Sequence, residues 1–297
     1  MDRIVVIGSY NRDTALRVPR FPRPGETLAA TAIDRFHGGK GSNQAIAAAR
    51  AGASVAIAAA VGADEPGAAA RRLWAAEGVD ASAVRARPGV PTGEALILLD
   101  AAGENQIVIV PGANATLDAG DAVAATAGAR IVLAQMETPA AATLAAFRAA
   151  RAAGATTVLN AAPAQVSAAE LLEATDILVV NETEAAILAG CVGAPAALAE
   201  ALAPRVAQGV VLTAGAGGAY WVLGGRPALQ AAALPTEVLD STGAGDAFVG
   251  AMVAALTEGL AMDAVVRRGV VAGALACRRL GAVPSLPRRH EILAAGG

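Results

Sequence analysis

Short β-branched runs alternate with longer alanine-rich segments of helical length through most of this chain, and this alternation narrows the possible folds more than any single residue does. Strand, crossover helix and next strand form the unit of a parallel sheet. The expected strands are Arg3–Gly8, Ser54–Val61, Arg130–Ala134, Thr156–Asn160, Asp176–Val180 and Gly209–Thr213. The expected helices are Ser42–Arg50, Pro66–Glu77, Pro139–Ala153, Ala168–Ala174, Glu182–Ala189, Pro195–Ala207, Ala244–Glu258 and Asp263–Leu280. These strands are nearly continuous apolar runs, as in a sheet covered by helices on both faces. Two regions break the pattern. Pro19–Gly39 and Pro91–Gly112 carry β-rich stretches such as Thr27–Phe36 and Gln106–Val110 between Pro and Gly turns, so they read as strands outside the main sheet, a second layer or lid.

A length of 297 residues fits two small domains or one large one. Without a low-complexity linker or an internal repeat, residues 1–297 are read as one α/β domain, its lid drawn from about residues 10–40 and 90–112. Apolar residues make up 55% and charged residues 16%, which excludes a disordered chain. Aromatics are only 3%, so the core has to be built from Ala, Val, Leu and Ile. The mean hydropathy of +0.50 raises the question of a membrane span. Residues 207–225 are interrupted by glycines and residues 152–169 carry Asn160, Pro163 and Gln165, so no spanning helix is expected. The first apolar run, Ile4 to Ile7, gives way at once to Gly8, Asn11 and Asp13, so the expectation is a first strand of a cytoplasmic protein and not a secretory signal. Cys191 and Cys277 lack metal-ligand spacing. A net charge of −3, no basic stripe and few aromatics argue against nucleic acid and leave small molecules as partners.

In Asp240-Ser241-Thr242-Gly243-Ala244-Gly245-Asp246, a glycine turn opens directly into an alanine-rich helix. Such a turn lets backbone approach an anion, and the unpaired N–H groups of the first helical turn point at it. Asp246 beside it either complements the helix dipole or accepts a proton from an attacking hydroxyl. There is neither a Walker A lysine nor a Gly-x-Gly-x-x-Gly after the first strand, which disfavours a nicotinamide-dependent dehydrogenase. His37-Gly38-Gly39-Lys40-Gly41-Ser42-Asn43-Gln44 is a second glycine-rich entry to a helix, and Lys40 is the only lysine in the chain. Lys40 and Asn43 supply donors for sugar hydroxyls. Asn11-Arg12-Asp13 follows the first strand, where open α/β sheets bind ligands, and also suits an Asx turn. Asn181-Glu182-Thr183-Glu184 has the spacing of a capping box and also places Glu184 where it can hold the water shell of Mg²⁺. Thr213-Ala214-Gly215-Ala216-Gly217-Gly218 leads into another β-like run and is either a hairpin or a shelf for a purine and its ribose.

Taken in this order, the motifs resemble those of the ribokinase family of carbohydrate kinases, from the first strand to Pro287. Gly39-Lys40-Gly41-x-Asn43-Gln44-Ala45 resembles the sugar signature of ribokinases in particular, since fructokinases and adenosine kinases depart from it at the lysine. Asp240-x-Thr242-Gly243-Ala244-Gly245-Asp246 resembles the catalytic signature of the whole superfamily. The resemblance implies a three-layer sandwich with a central, mostly parallel sheet and a small β-lid that doubles as a homodimer interface. It implies sugar contacts at Asn11, Asp13, Gly39, Lys40, Asn43 and Glu137, and ATP contacts at Asn181, Thr213, Gly215, Gly218 and Gly245. Asp246 matches the catalytic base, Gly243, Ala244 and Gly245 the anion hole, and Glu184 the residue associated with Mg²⁺. Asp240, Thr242, Ala276, Arg279, Gly281 and Ser285 match ligands of an activating K⁺. Two residues depart from the pattern: Val270, where some ribokinases place a histidine near the adenine, and Glu94, where an apolar lid residue is common. The expectation is an ATP-dependent sugar kinase acting at O5 of D-ribose. The alternatives are a relative for another pentose, a deoxysugar or a nucleoside, and a non-catalytic sugar- or nucleotide-binding regulator.

Overall fold

The computed structural model describes residues 3–165 and 169–297. The first part of the chain forms β1 (Arg3–Ile7), β2 (Asn11–Arg17), β3 (Ala32–Gly38), α1 (Lys40–Arg50), β4 (Ser54–Ala58), β5 (Ala60–Gly62), α2 (Glu65–Ala76) and β6 (Arg85–Arg87). There follow β7 (Gly93–Leu99), β8 (Asn105–Val110), α3 (Ala119–Ala125), β9 (Ala129–Ala134), α4 (Ala140–Ala152), β10 (Thr156–Asn160), α5 (Ala169–Glu173), β11 (Ile177–Asn181), α6 (Glu182–Ala189) and α7 (Pro195–Leu202). The last part holds β12 (Gly209–Thr213), β13 (Ala219–Leu223), β14 (Leu229–Ala231), α8 (Ala244–Thr257), α9 (Met262–Ala276), α10 (Ala282–Ser285) and α11 (Arg289–Ala294).

Eight strands make the central sheet in the order β14-β13-β12-β11-β10-β9-β1-β4, parallel from β12 to β4 with the last two strands antiparallel. Successive side chains of a strand point to opposite faces. Ile4 and Val6 of β1 therefore join the layer of α1, α2, α8 and α9, while Val5 and Ile7 join the layer of α3 to α7, giving the three-layer α/β sandwich. Each of these four side chains is fully buried, contributing about 1.5–3 kcal/mol relative to exposure. The alanine-rich composition shows its purpose where α1 meets α8. A Cβ on Gly250 would lie 2.4 Å from Ala47 Cβ and 2.7 Å from Ala48 N, so the two helices touch backbone to backbone. That contact holds the first turns of α1 and α8 side by side.

A separate four-stranded sheet, β3-β2-β7-β8, is built from residues 11–38 and 93–110 and stands beside the mouth of the main sheet. Several boundaries differ from those expected. The run Ser54–Val61 divides, because at Ala59 the chain leaves β1, and β5 pairs with β6 instead. The helix expected over Pro195–Ala207 stops at Leu202, followed by a 3₁₀ turn around Pro204, which has no N–H to continue the ladder. The helix expected to reach Leu280 ends at Ala276, where the Cys277 carbonyl accepts the N–H groups of Leu239 and Asp240. Ala168, first residue of the helix expected over Ala168–Ala174, lies outside the described residues. The strand β2 and the helix α3 have no counterpart in the periodicity.

Candidate active site

The C-terminal ends of β1, β9, β10, β11 and β12 and the N-terminal ends of α1 and α8 converge on one cleft, the usual ligand position of an open α/β sheet. Gly243 caps α8 in the left-handed region at φ 78°, and a Cβ there would come within 3.0 Å of Ala282 Cα. Only glycine suits that position. A Cβ on Gly245 would meet no protein atom within 4 Å, and Gly245 faces open cavity, so the room there is room for a ligand. Asp246 follows on the first turn of α8. Its Oδ2 accepts a hydrogen bond from Asn43 Nδ2 at 2.9 Å and its Oδ1 one from Gln44 Nε2 at 2.8 Å. Burial pushes the Asp246 carboxyl up, the charge of Lys40 and the two amides pull it down, and nearby Glu137 raises it.

On the lid side, Gly39 caps α1 at φ 87°, with Tyr10 Cα only 2.7 Å from where a Cβ would stand. Lys40 N–H donates to Glu137 Oε2 at 2.9 Å, and Ser9 Oγ donates to the same oxygen at 2.5 Å. Glu137 is thereby fixed at a helix N-terminus, where negative charge is favoured. Asn11 Oδ1 accepts from Asn114 Nδ2 at 2.8 Å, and Asn114 is itself locked to the N–H and the carbonyl of Tyr10. This leaves the Asn11 NH₂ without a partner among the described residues. The Asp13 carboxylate lies over Gly38, 2.2–2.4 Å from where a Cβ would stand. Burial first, then the charges of Glu137 and Asp246, lift the Asp13 carboxyl to about 7. Asn43 Oδ1 is a buried acceptor with no partner among the described residues.

Two cavities meet at this cleft. The smaller, about 240 Å³, is walled by Lys40, Asn160, Asn181, Glu184, Gly243 and Asp246 among others. The larger, about 770 Å³, has an apolar wall of Phe248, Val270, Leu234 and Pro235 facing the turn Gly215–Gly218. Thr213, Ser241 and Gly245 line both. The turn after Thr213 is a hairpin between β12 and β13, as one of the two expectations for it has it, and its glycines line the larger cavity. Asn181 and Glu184 form the capping box reciprocally at 2.8 and 2.9 Å while walling the smaller cavity.

Behind the glycine turn, Asp240 Oδ1 accepts from Thr242 N–H at 2.9 Å and Oδ2 from Gly281 N–H at 2.8 Å. Ser285 Oγ donates to the Ala282 carbonyl at 2.8 Å and, more loosely, to that of Thr242 at 3.5 Å. Ala276 is buried at the end of α9, its carbonyl accepting the Arg279 N–H. The Arg279 side chain points elsewhere, to Glu291. Arg50, at the far end of α1, donates to the carbonyls of Val283 and Leu286 at 2.8 Å each and pairs with Glu77, so α1 grips this loop from behind.

Both departures noted in the sequence have a place. Glu94 accepts from Arg12 and Thr14 at 2.9 Å on the lid face opposite Asp13, whereas its neighbour Ala95, the register partner of Asp13, is the residue on the Asp13 face. Val270 adds apolar surface to the larger cavity. Ser9, Asn114, Gln135 and Asn160 belong to the polar framework of the cleft without having been singled out for it. Asn114 sits in a 3₁₀ turn after β8 with nothing local to mark it. Gln44 was visible as a polar residue in an otherwise alanine-rich helical run, but its target was not.

Comparison with known proteins agrees with this arrangement. The chain is 37% identical to a ribokinase of Haemophilus influenzae over 98% of its length and 97% of that protein, and 35% identical to one of Staphylococcus aureus over 98% of each. Its fold superposes on an Arabidopsis thaliana ribokinase complexed with ribose and ATP with a TM-score of 0.92 at 31% identity, covering 99% of both chains. The model for the pfkB family of carbohydrate kinases matches residues 1–289. On these grounds, the chain belongs to the pfkB family of carbohydrate kinases.

Proposed function

We propose that this protein is an ATP-dependent kinase that transfers the γ-phosphoryl group of ATP to O5 of D-ribose, with Asp246 as general base. The observation that carries this reading is the place of Asp246. Its carboxylate is buried between two amide donors on the wall of the smaller cavity, which Lys40 and the turn glycines Gly243 and Gly245 also line. The niche offers what a polyhydroxylated pentose needs: the free NH₂ of Asn11, the unpaired Oδ1 of Asn43, and the carboxylates of Asp13 and Glu137 as acceptors. Relatives named ribokinase, one of them complexed with ribose and ATP, support the same reading.

In the proposed reaction Asp246 accepts the proton of the sugar hydroxyl as its oxygen attacks in line. The N–H groups of Gly243 and Gly245 face the phosphoryl oxygens on which charge rests, while that of Ala244, expected beside them, is taken by the Ser241 carbonyl at 3.1 Å. Lys40 walls the same small cavity and adds positive charge there, so it serves the phosphoryl group as well as the sugar. The adenine and its ribose occupy the larger cavity on the Thr213–Gly218 shelf, and Asn181 faces the phosphates. Among the described residues no three His, Cys, Asp or Glu side chains gather to cage a metal. Mg²⁺ would come in on the phosphates with its waters, and Glu184 would hold that water shell. Mg²⁺ bound there neutralises phosphate charge. Asp240 and the carbonyls of Thr242, Ala276, Arg279, Gly281 and Ser285 form an all-oxygen set suited to K⁺, which adds positive field behind the anion hole.

The lid is the proposed face between two copies of the chain. All six residues of β8 are exposed, among them Ile107, Val108, Ile109 and Val110, and an apolar edge strand of this kind calls for cover. No helix among the described residues is long and apolar enough to cross a membrane, and the cytoplasm, where ATP is abundant, is the proposed site of action. ADP release measured across ribose, 2-deoxyribose, fructose and adenosine tests the substrate. Each buried polar group left unpaired costs about 1–3 kcal/mol, so ribose should lead in kcat/KM by roughly 10-fold or more. Higher kcat/KM with adenosine or fructose would contradict the choice of ribose.

A further inference from the structure

A chain of buried side-chain amides runs into Asp246 from behind. Gln44 is fully buried, and its Nε2 donates both to Asp246 Oδ1 and to Asn160 Oδ1, each at 2.8 Å. Asn160 in turn donates to the Val179 carbonyl at 3.1 Å, so its oxygen is fixed as the acceptor. Gln44 Oε1 accepts from Gln135 Nε2 at 2.6 Å. Gln135, 1% exposed, keeps its own Oε1 without a partner among the described residues. A buried unpaired acceptor is costly, and turning the Gln135 amide over would set oxygen against oxygen at Gln44. The orphaned oxygen is therefore the consequence of holding the Gln44 amide one way round, with its NH₂ toward the carboxylate.

We propose that Gln44 is a positioning residue for the catalytic base and that Gln135, which makes no hydrogen bond to that base, sets the orientation of Gln44 together with Asn160. The inference rests on Asp246 being that base. Gln44 favours the ionised carboxylate and aims its Oδ1, leaving Oδ2, shared with Asn43, as the edge nearer the sugar. The charged groups that act on Asp246 are Lys40 of α1, Glu137 after β9, Asp13 of β2 and Glu184 of α6, and none of them is altered by changing Gln44 or Gln135.

The test is the pH profile of kcat at saturating ribose and ATP, where hydroxyl donors hold Asp13 ionised. Gln44→Met keeps length without branching but removes the donor, and should move the acid limb up by about 1 pH unit. Gln135→Leu should move it in the same direction by less, because Gln44, its NH₂ still held to Asn160 Oδ1, loses only the tether on its Oε1 and aims less closely at Asp246. In the double variant Gln135→Leu should add nothing, the mark of one coupled unit. An acid limb unmoved in Gln135→Leu, or additive shifts in the double variant, would overturn the proposal. Should Gln44→Met fail to fold, as a melting curve would report, the Gln135→Leu profile decides alone. Asp246→Asn separates the two levels. Full turnover in that variant refutes the base itself, whereas lost turnover there with unmoved limbs in the glutamine variants refutes only the positioning role.

Discussion

Asp13, Glu137 and Asp246 crowd three carboxylates around a site with one lysine, and Asp13 bears the cost: burial and its two like-charged neighbours raise its carboxyl to about 7. A carboxyl raised on folding makes the folded state bind more protons than the unfolded chain between the two values, so its contribution to stability falls as pH rises from about 4 to about 7. Asp13→Asn should therefore melt higher than the parent protein at pH 8 while losing ribose affinity. Hydroxyls donated by a bound sugar favour the ionised form, so ribose binding near pH 6.5 should release protons. Calorimetry in buffers of different ionisation enthalpy would detect that release, and a heat independent of buffer would contradict it. At this scale the sequence disclosed residues whose chemistry is carried by local spacing. Asp246 in its glycine turn, Lys40 between glycines, and the Asn181–Glu184 box are legible because each belongs to a motif of a few residues. Asn114 and Gln135 are not, since their roles arise from contacts 104 and 91 residues away in sequence.

The elements that carry the site are two helix entries, α1 and α8, packed through Gly250 on Ala47, and a rear loop tied by Asp240 to Gly281 and gripped by Arg50. With the N–H groups of both Thr242 and Gly281 on one carboxylate, Asp240 joins the proposed anion-hole turn to the proposed cation loop. Potassium should raise kcat or lower KM, and Asp240→Ala should abolish that response. Equal activity with and without potassium, or an unchanged response in the variant, would contradict the assignment. The parallel strands were readable from apolar runs because both of their faces are covered. The lid strand β2 was not, because Asn11, Arg12 and Asp13 give it a polar sequence whose partners, Gly38 and Gly93, lie far along the chain. The division at Ala59 was equally hidden, since no Gly or Pro marks where β4 gives way to β5.

As a whole, the molecule sets a sandwich against a thin lid, and the lid's edge strand β8 is exposed along its length with four apolar residues in a row. Ile107 and Val108 lie on opposite faces of β8, 53% and 62% exposed. Replacing both by lysine should convert a dimer to a species of 29.1 kDa in light scattering. A parent protein that is monomeric at micromolar concentration would contradict the proposed interface. The central claim is that the cleft transfers a phosphoryl group with Asp246 as base, and Asp246→Asn tests it most directly when turnover and ribose binding are measured on the same folded protein. The account predicts that ribose still binds while kcat falls by about 10² to 10⁴, roughly 3–5 kcal/mol of barrier. A kcat near that of the parent protein would contradict it.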